Sequence, residues 1–188
     1  MDQQKIKKAV KLLLEAIGES PNRAGLKATP QRVAKFYQEF LTSAEKNPAD
    51  AIKVYPNPTG QDLVITKNIL FYSLCEHHLL PFFGQAHIAY IPAKNKIAGF
   101  SSLARLVENL AHRPQLQERL TSQTADLLQK KLASPGVMVI IEAEHLCLSM
   151  RGIKKPGTVT VTVAKRGVFK DKLQQKQVLA LIKNDLVS

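Results

Sequence analysis

The first sixty residues carry two helical patterns separated by polar loops. Apolar residues recur at spacings of three and four over residues 3–17, with Asp2 before them and Gly18 after them. This period predicts an amphipathic helix with a start and a stop signal. A second helix is predicted from Thr29-Pro30, because threonine can cap a helix and proline suits its first position. Its expected buried face consists of Val33, Phe36, Tyr37, Phe40 and Leu41.

From Asp62 onward the pattern changes to strands interrupted by helices. Apolar runs at residues 63–65 and 69–72 are typical of strands. Residues 85–91 alternate apolar and more polar positions, which predicts a strand buried on one face, with Ala86, Ile88 and Tyr90 inward and Gln85, His87 and Ala89 outward. The other predicted elements are a helix from 99, a helix ending near 132 after a break at Pro114, strands over 137–143 and 158–163, and a terminal helix over 173–186.

The order of these elements predicts an α+β fold with an antiparallel sheet, because strand pairs alternate with helix pairs. Turn-forming residues at 47–48 and 56–60 predict a linker after the two N-terminal helices. We therefore expect an N-terminal helical segment, residues 1–60, followed by a main domain, residues 61–188.

The composition is that of an ordinary folded protein, with 45% hydrophobic and 22% charged residues among 188. No apolar run approaches the roughly 18 residues of a membrane span, and the N-terminus does not resemble a signal peptide, so we expect a cytoplasmic protein without a membrane partner. The formal net charge of +12 favours a polyanionic partner, either nucleic acid or a phosphorylated small molecule.

Both cysteines of the chain lie beside histidines. Cys75 begins the run Cys75-Glu76-His77-His78, and Cys147 follows His145 by two positions. Because zinc binds thiolate sulfur and imidazole nitrogen in tetrahedral geometry, this arrangement predicts a metal site. A disulfide is the weaker interpretation, since no secretory signal accompanies the cysteines. Spacing alone leaves open which of these side chains are ligands.

The number of candidate ligands favours a catalytic site over a structural one. Structural zinc sites fill four positions with protein ligands, whereas catalytic sites keep one position for water. Two thiolates and one imidazole leave a position open, with two histidines free to transfer protons. The isolated His87 and His112 receive no role in this site, and His112 is expected to be a cation at a helix end.

Four separated segments resemble the GTP cyclohydrolase I family, in order and with few gaps between Pro21 and Phe169. They are Thr29-Pro30-Gln31-Arg32-Val33-Ala34-Lys35 and the stretches 75–82, 113–121 and 144–152. The resemblance implies the tunnelling fold, with a four-stranded antiparallel sheet and paired helices, in which residues 61–188 form the catalytic domain and the N-terminal segment is an extension. It also implies a homodecamer with pockets at the subunit interfaces.

The resemblance assigns zinc to Cys75, His78 and Cys147, and proton transfer to His77 and His145. It implies that a zinc-activated water attacks C8 of GTP and releases formate, after which rearrangement gives 7,8-dihydroneopterin triphosphate. This reaction is the first step of tetrahydrofolate and pterin biosynthesis, and it needs no redox cofactor.

The resemblance also implies five contacts to GTP. Glu118 would accept hydrogen bonds from the guanine ring N–H and amino group, and Gln117 belongs to the same guanine-site segment. Ser101 stands at a helix start, where backbone N–H groups can bind phosphate. Arg105 and Arg151 match arginines that bind the triphosphate. Taken alone, Glu118 and the two arginines would be ordinary surface residues.

One position departs from the family pattern. Ser102 stands where the family usually has a lysine that contacts the triphosphate. Because a charge-assisted contact is lost, we expect catalysis with weaker triphosphate affinity.

Three other functions fit part of this pattern. A deazapurine nitrile reductase would share the tunnelling architecture but use a cysteine nucleophile and a nicotinamide cofactor instead of zinc. A basic zinc protein would bind nucleic acid, although the chain lacks paired Cys-x-x-Cys units and a basic face interleaved with aromatics. A degenerate relative would open the purine without closing the new ring.

Overall fold

The computed structural model describes residues 1–42, 47–57, 60, 62–93 and 96–183, and it begins with two helices that pack on each other. These are α1 (Gln3–Ala16) and α2 (Thr29–Phe40), which confirms both predicted helices. The side chain of Asp2 caps α1 by accepting a hydrogen bond from the Lys5 N–H. Thr29 was expected to cap α2, but the cap residue is Ala28 and it makes no side-chain bond.

The apolar faces of α1 and α2 are only partly covered. Leu14 is buried in α1 and Ala34 in α2, whereas Ile17 is 64% exposed. Phe36 was expected to be buried and is instead 45% exposed. Phe40 lies against the ring of His112, with the ring centroids 4.9 Å apart. Burial lowers the pKa of His112, which favours the neutral imidazole over the expected helix-end cation.

The strands form a two-stranded and a five-stranded sheet. They are β1 (Val54–Pro56), β2 (Val64–Cys75), β3 (Pro81–Tyr90), β4 (Lys96–Ala98), β5 (Pro114–Gln115), β6 (Gly136–His145) and β7 (Val159–Gly167). The large sheet has the order β5-β2-β3-β6-β7 and is antiparallel except for the two-residue parallel pairing of β5 with β2. The α+β class is confirmed, but the sheet has five strands where four were expected, because the short β5 adds to the end of β2.

Two helices cover one face of the large sheet and enclose the main core. They are α3 (Phe100–Ala111) and α4 (Gln117–Leu132), whose Leu103, Leu106, Leu120 and Leu128 are fully buried. β1 pairs with β4, and the neighbouring Ile52 belongs to the same core. The segment before residue 61 therefore contacts the main domain directly.

The opposite face of the sheet is covered at one end by α6 (Lys172–Lys183). Val178 of α6 and Phe169 form a second core with Ala89, Met138 and Ile140. β3 is consequently buried on both faces from Ala86 to Tyr90, and the expectation of a half-buried strand was wrong for this part.

The predicted linker residues 58 and 59 and the predicted helix end at 184–186 lie outside the described residues. In the described part of the chain, no helix has the length and apolar character needed to cross a bilayer.

Burial of His87 makes the fold sensitive to acid. The side chain is 4% exposed, and its Nδ1 accepts a hydrogen bond of 3.3 Å from the Asn68 N–H. Among the described residues, its Nε2 has no hydrogen-bond partner. Burial lowers the pKa of His87 from its ordinary value of 6.5. The unfolded chain therefore binds this proton first as the pH falls, and the free energy of unfolding decreases below about pH 6.5.

We expect the substitution His87→Gln to reduce this dependence on pH. Below about pH 6.5, loss of one such proton site should lower the slope of unfolding free energy against pH by up to about 1.4 kcal/mol per pH unit. Urea unfolding of the wild type and the variant from pH 8 to pH 5 measures both slopes. At pH 8 the site is neutral in both states, so the difference there gives the cost of the substitution itself. Identical slopes in the two proteins would contradict the assignment.

Candidate metal and catalytic site

A tight turn between β2 and β3 positions Cys75 and His78. The backbone N–H of Cys75 donates to the Leu80 carbonyl at 2.8 Å, and the Cys75 carbonyl accepts from the N–H groups of His78 and Leu79 at 3.3 and 2.8 Å. Leu79 completes the turn in the left-handed region, with a φ of 54°. This geometry places Nδ1 of His78 3.7 Å from Sγ of Cys75.

Cys147 reaches the same place from the end of β6, where His145 pairs with Phe82 at the start of β3. It lies in the short helix α5 (Leu146–Ser149), which follows β6 directly. The ligand atoms of Cys75, His78 and Cys147 all lie within 4.8 Å of one another. The structure therefore brings together the three side chains that the resemblance assigned to the metal.

The donor set of this group fits a tetrahedral metal site. Zinc bonds of about 2.3 Å to sulfur and about 2.0–2.1 Å to nitrogen place neighbouring ligand atoms roughly 3.5–3.8 Å apart. The distance of 3.7 Å between Cys75 Sγ and His78 Nδ1 agrees with this separation. Burial raises the pKa of the Cys147 thiol, and the neighbouring Cys75 raises it further. A bound divalent cation would stabilise both thiolates.

His145 lies next to this group with its ring orientation restrained on two sides. Its ring stacks on Phe82, with centroids 4.7 Å apart and an interplanar angle of 2°. Its Nε2 lies 2.7 Å from Oε1 of Gln117. Burial lowers the pKa of His145, and the carboxylate of Glu118 opposes this effect. The neutral imidazole is therefore favoured, and a neutral imidazole can accept a proton.

The side-chain amide of Gln117 is buried and forms hydrogen bonds within the protein. The residue is 1% exposed, and its Nε2 lies 3.0 Å from the Ile141 carbonyl and 2.9 Å from the Thr160 carbonyl. Thr162 Oγ1 is a third neighbour at 3.1 Å. These bonds attach the start of α4 to β6 and β7 beside His145.

Three other residues named by the resemblance lie in the same region. Glu118 is close enough to His145 to affect its pKa, and Arg151 likewise lowers the pKa of Cys147. Glu118 also lines a cleft of about 500 Å³, together with Thr121, Ser122, Lys165, Arg166 and Lys170 among others. His77 is exposed, with its ring centroid 6.1 Å from that of His78.

Ser101 and Arg105 lie elsewhere in the chain. Both are exposed on the first turns of α3, whereas the last residue of α3, Ala111, accepts a hydrogen bond from Ser73 beside the metal group. With a rise of about 1.5 Å per residue, Ser101 is roughly 15 Å from that end of the helix. The side chain of Ser102 is buried, and its Oγ accepts a hydrogen bond of 3.2 Å from the Lys53 N–H. One chain therefore does not place the start of α3 at the metal group.

A set of contacts that no sequence pattern indicated holds the metal-binding turn against α4. Arg119 forms a two-bond ion pair with Glu76, at 2.5 and 2.9 Å. The Glu76 N–H donates to the carbonyl of Gln115 at 3.1 Å, and Gln115 itself is fully buried. The pairing could not be found from spacing, because Arg119 and Glu76 are 43 positions apart. It makes Arg119 a positioning residue for Cys75 and His78.

We expect Arg119→Ala to weaken metal binding without removing a ligand. Loss of a group bonded directly to a metal ligand typically costs about 10–100-fold in metal affinity. Because Arg119 bonds to Glu76 and not to a ligand, we expect a loss at the lower end, about 10-fold. Competition with a chromogenic zinc chelator measures it. Arg166→Ala is the matched control. Arg166 also forms an ion pair with a residue of α4, Asp126, but this pair does not contact the metal-binding turn. Equal affinities for Arg119→Ala and wild type would show that the ion pair does not support the site.

Comparison with known proteins places the chain in a family. The family model for GTP cyclohydrolase I matches residues 6–183. The chain belongs to the GTP cyclohydrolase I family. This confirms the resemblance and the prediction of an enzyme of the GTP cyclohydrolase I type.

Relatives match the chain over nearly its full length. GTP cyclohydrolase 1 of Pelotomaculum thermopropionicum is 53% identical over 97% of both chains. That of Carboxydothermus hydrogenoformans is 54% identical over 90% of this chain and 88% of its own. Among solved structures, the archaeosine synthase QueF-Like in the apo form aligns with 57% of this chain and 95% of its own, at 19% identity and a TM-score of 0.48.

Proposed function

We propose that the chain hydrolyses GTP at C8 in a zinc-dependent reaction that releases formate and yields 7,8-dihydroneopterin triphosphate. The observation that carries this proposal is the convergence of Cys75, His78 and Cys147 beside His145 in a chain of the GTP cyclohydrolase I family. In this role the enzyme catalyses the first step of tetrahydrofolate and pterin biosynthesis, in the cytoplasm and on the tunnelling fold.

Cys75, His78 and Cys147 would hold the metal, which we propose to be Zn²⁺. Thiolate and imidazole are preferred zinc donors, and three protein ligands are typical of a catalytic zinc site. When bound, Zn²⁺ supplies Lewis-acid chemistry that lowers the pKa of a water to about 7. The turn after β2 and the start of α5 hold the three ligands in place, and the Arg119–Glu76 ion pair fixes the turn.

Glu118 would select guanine. A carboxylate has two acceptor oxygens, which suit the ring N–H and the exocyclic amine of guanine. Adenine offers neither donor at those positions, so it would leave the carboxylate without partners. The position of Glu118 near His145 supports this role, because a base held by Glu118 would lie within the same region as the metal group.

His145 and His77 would transfer protons during ring opening and rearrangement. His145 is buried enough to favour the neutral form, and its ring is restrained by Phe82. His77 is exposed and adjacent to the ligand His78, so it can exchange protons with solvent. The two imidazoles thus provide one restrained and one solvent-accessible proton carrier.

Ser101 and Arg105 would bind the triphosphate of a GTP molecule held by a neighbouring subunit. Within one chain they lie at the end of α3 that is remote from the metal group, whereas Arg151 is near Cys147. A second copy could supply these groups to each site, which supports the proposal of a homo-oligomer, specifically a homodecamer.

The edges of the large sheet also support assembly. In the described residues β7 pairs only through its β6 side, and β2 pairs with β5 only at Leu74 and Cys75. The free edge of β2 exposes Leu70 and Tyr72, at 77% and 61%. Unpaired strand edges with apolar side chains favour pairing with another chain.

A nucleotide panel tests the proposed function. Metal-loaded protein is incubated with GTP, GDP or ATP, and both formate and the fluorescent oxidised pterin are measured. We expect both products from GTP and neither from ATP. Consumption of a nicotinamide cofactor with a nitrile substrate would instead favour a nitrile reductase, and salt-sensitive nucleic-acid binding without GTP turnover would favour a nucleic-acid-binding zinc protein.

A further inference from the structure

The side-chain amide of Gln117 is buried, and the direction of each of its hydrogen bonds can be deduced from its partners. Its nitrogen and its oxygen face different partners: Nε2 faces the carbonyl oxygens of Ile141 and Thr160, and Oε1 faces Nε2 of His145. A carbonyl oxygen can only accept a hydrogen bond, so the group facing Ile141 and Thr160 must be the NH₂. The orientation of the amide is therefore determined by its partners.

The orientation of the amide determines where His145 carries its proton. Oε1 of Gln117 can only accept, so Nε2 of His145, 2.7 Å away, must be the donor. In a neutral imidazole the other nitrogen, Nδ1, then carries the lone pair. Within the described part of the chain, the hydrogen bonds of His145 leave Nδ1 without a partner.

We propose that Gln117 is a positioning residue that fixes His145 in the Nε2–H tautomer, so that Nδ1 is the atom that exchanges protons with the substrate. This inference rests on the proposed function of the site. It gives Gln117 a different task from the guanine contact implied by the resemblance, because the side chain is 1% exposed and both its nitrogen and its oxygen are already bonded within the chain.

The proton balance of this step is simple. When His145 acts as a base, an O–H bond of water or a substrate hydroxyl breaks, a new N–H bond forms at Nδ1, and the oxygen keeps the electron pair. The Nε2–H remains bonded to Gln117 throughout, so the amide oxygen stabilises the positive charge that forms on the ring. The stack on Phe82 keeps the ring plane constant during the transfer.

A spectroscopic test needs no turnover. Protein labelled with ¹⁵N-histidine is studied by magic-angle-spinning NMR, which distinguishes the two tautomers of an imidazole in assemblies of any size. The His145 signal is assigned by its absence in His145→Asn. We expect the Nε2–H tautomer in the wild type and a mixture of tautomers in Gln117→Met. An Nδ1–H signal in the wild type would overturn the inference, whether or not the protein turns over GTP.

A kinetic test separates positioning from substrate binding. We expect Gln117→Met to lower kcat by about 10-fold or more, within the roughly 10²–10⁴-fold range that general acid–base catalysis contributes, with KM for GTP changed less than about twofold. The double variant with His145→Ala should be no slower than His145→Ala alone, because the two residues act as a unit. A raised KM with unchanged kcat, or additive losses in the double variant, would show that Gln117 binds the substrate instead.

Two further variants exclude a simple loss of structure. Thr162→Val removes one bond to the Gln117 amide while its oxygen stays available to His145, so it should lower kcat less than Gln117→Met. Gln129→Met makes the same substitution on α4 about three turns away and should leave kcat unchanged. If Gln117→Met loses kcat only in proportion to its loss of folded protein in urea unfolding, the positioning role is wrong. Absence of GTP turnover in the wild type would contradict the proposed function and leave the tautomer measurement valid.

Discussion

Replacing Cys147 with serine is expected to abolish both metal binding and GTP turnover. The neutral hydroxyl of serine is a much weaker zinc donor than a thiolate, so the variant keeps only Cys75 and His78 as strong donors of the three that lie within 4.8 Å of one another. Loss of a supporting residue already costs about 10–100-fold in metal affinity, and loss of a ligand should exceed about 100-fold. Elemental analysis of the purified protein and a formate assay measure the two effects.

Ser149→Ala is the matched control for this variant. Ser149 lies in the same short helix, and the substitution also changes a single side-chain heteroatom. Among the described residues, however, the Ser149 hydroxyl bonds only to Glu144 and to the His145 carbonyl. The control should retain its metal. Full metal content and undiminished turnover in Cys147→Ser would show that the three-residue group is not the catalytic metal site.

The substitution Glu118→Gln is expected to weaken recognition of guanine. The glutamine side chain replaces one of two acceptor oxygens by an NH₂ donor, which would face a donor of the base. A hydrogen bond to a charged group contributes about 1.5–3 kcal/mol, so loss of one such bond should lower kcat/KM for GTP by about 10–100-fold. Steady-state kinetics with GTP measure the loss, and metal content should stay at the wild-type value because Glu118 is not a ligand.

Asp126→Asn provides the comparison for Glu118. It neutralises the other carboxylate of α4, which pairs with Arg166. We expect it to change kcat/KM much less than Glu118→Gln does. Equal losses in the two variants would mean that negative charge on this helix matters rather than a specific contact to the base. Retained turnover in Glu118→Gln would exclude Glu118 as the guanine acceptor.

The metal group could be predicted from sequence because its chemistry is concentrated in rare residues. The chain has two cysteines, and each lies within three positions of a histidine, so a common metal was the simplest explanation. No knowledge of the fold was needed to propose a metal site formed by the two cysteines and their neighbouring histidines. The resemblance to a family narrowed the ligand set, and the geometry then brought the three side chains together.

The supporting contacts could not be predicted, because they depend on how α4 packs against the sheet. Gln117 and His145 are 28 positions apart, and neither has a local pattern that indicates the other. The burial of His87 had the same cause. Its strand has an alternating pattern, but α6 covers one end of the outer face and brings Val178 against Ala89. Periodicity predicts an element and its faces, but it does not show which later segment will cover them.

The proposed function is tested most directly by following the C8 atom of GTP. Metal-loaded protein is given GTP labelled with ¹³C at C8, and ¹³C NMR follows the label while fluorescence follows the oxidised pterin. We expect the label to appear in formate in a one-to-one ratio with the pterin. Label that stays in the nucleotide, or that stops in a formamidopyrimidine without pterin formation, would contradict it.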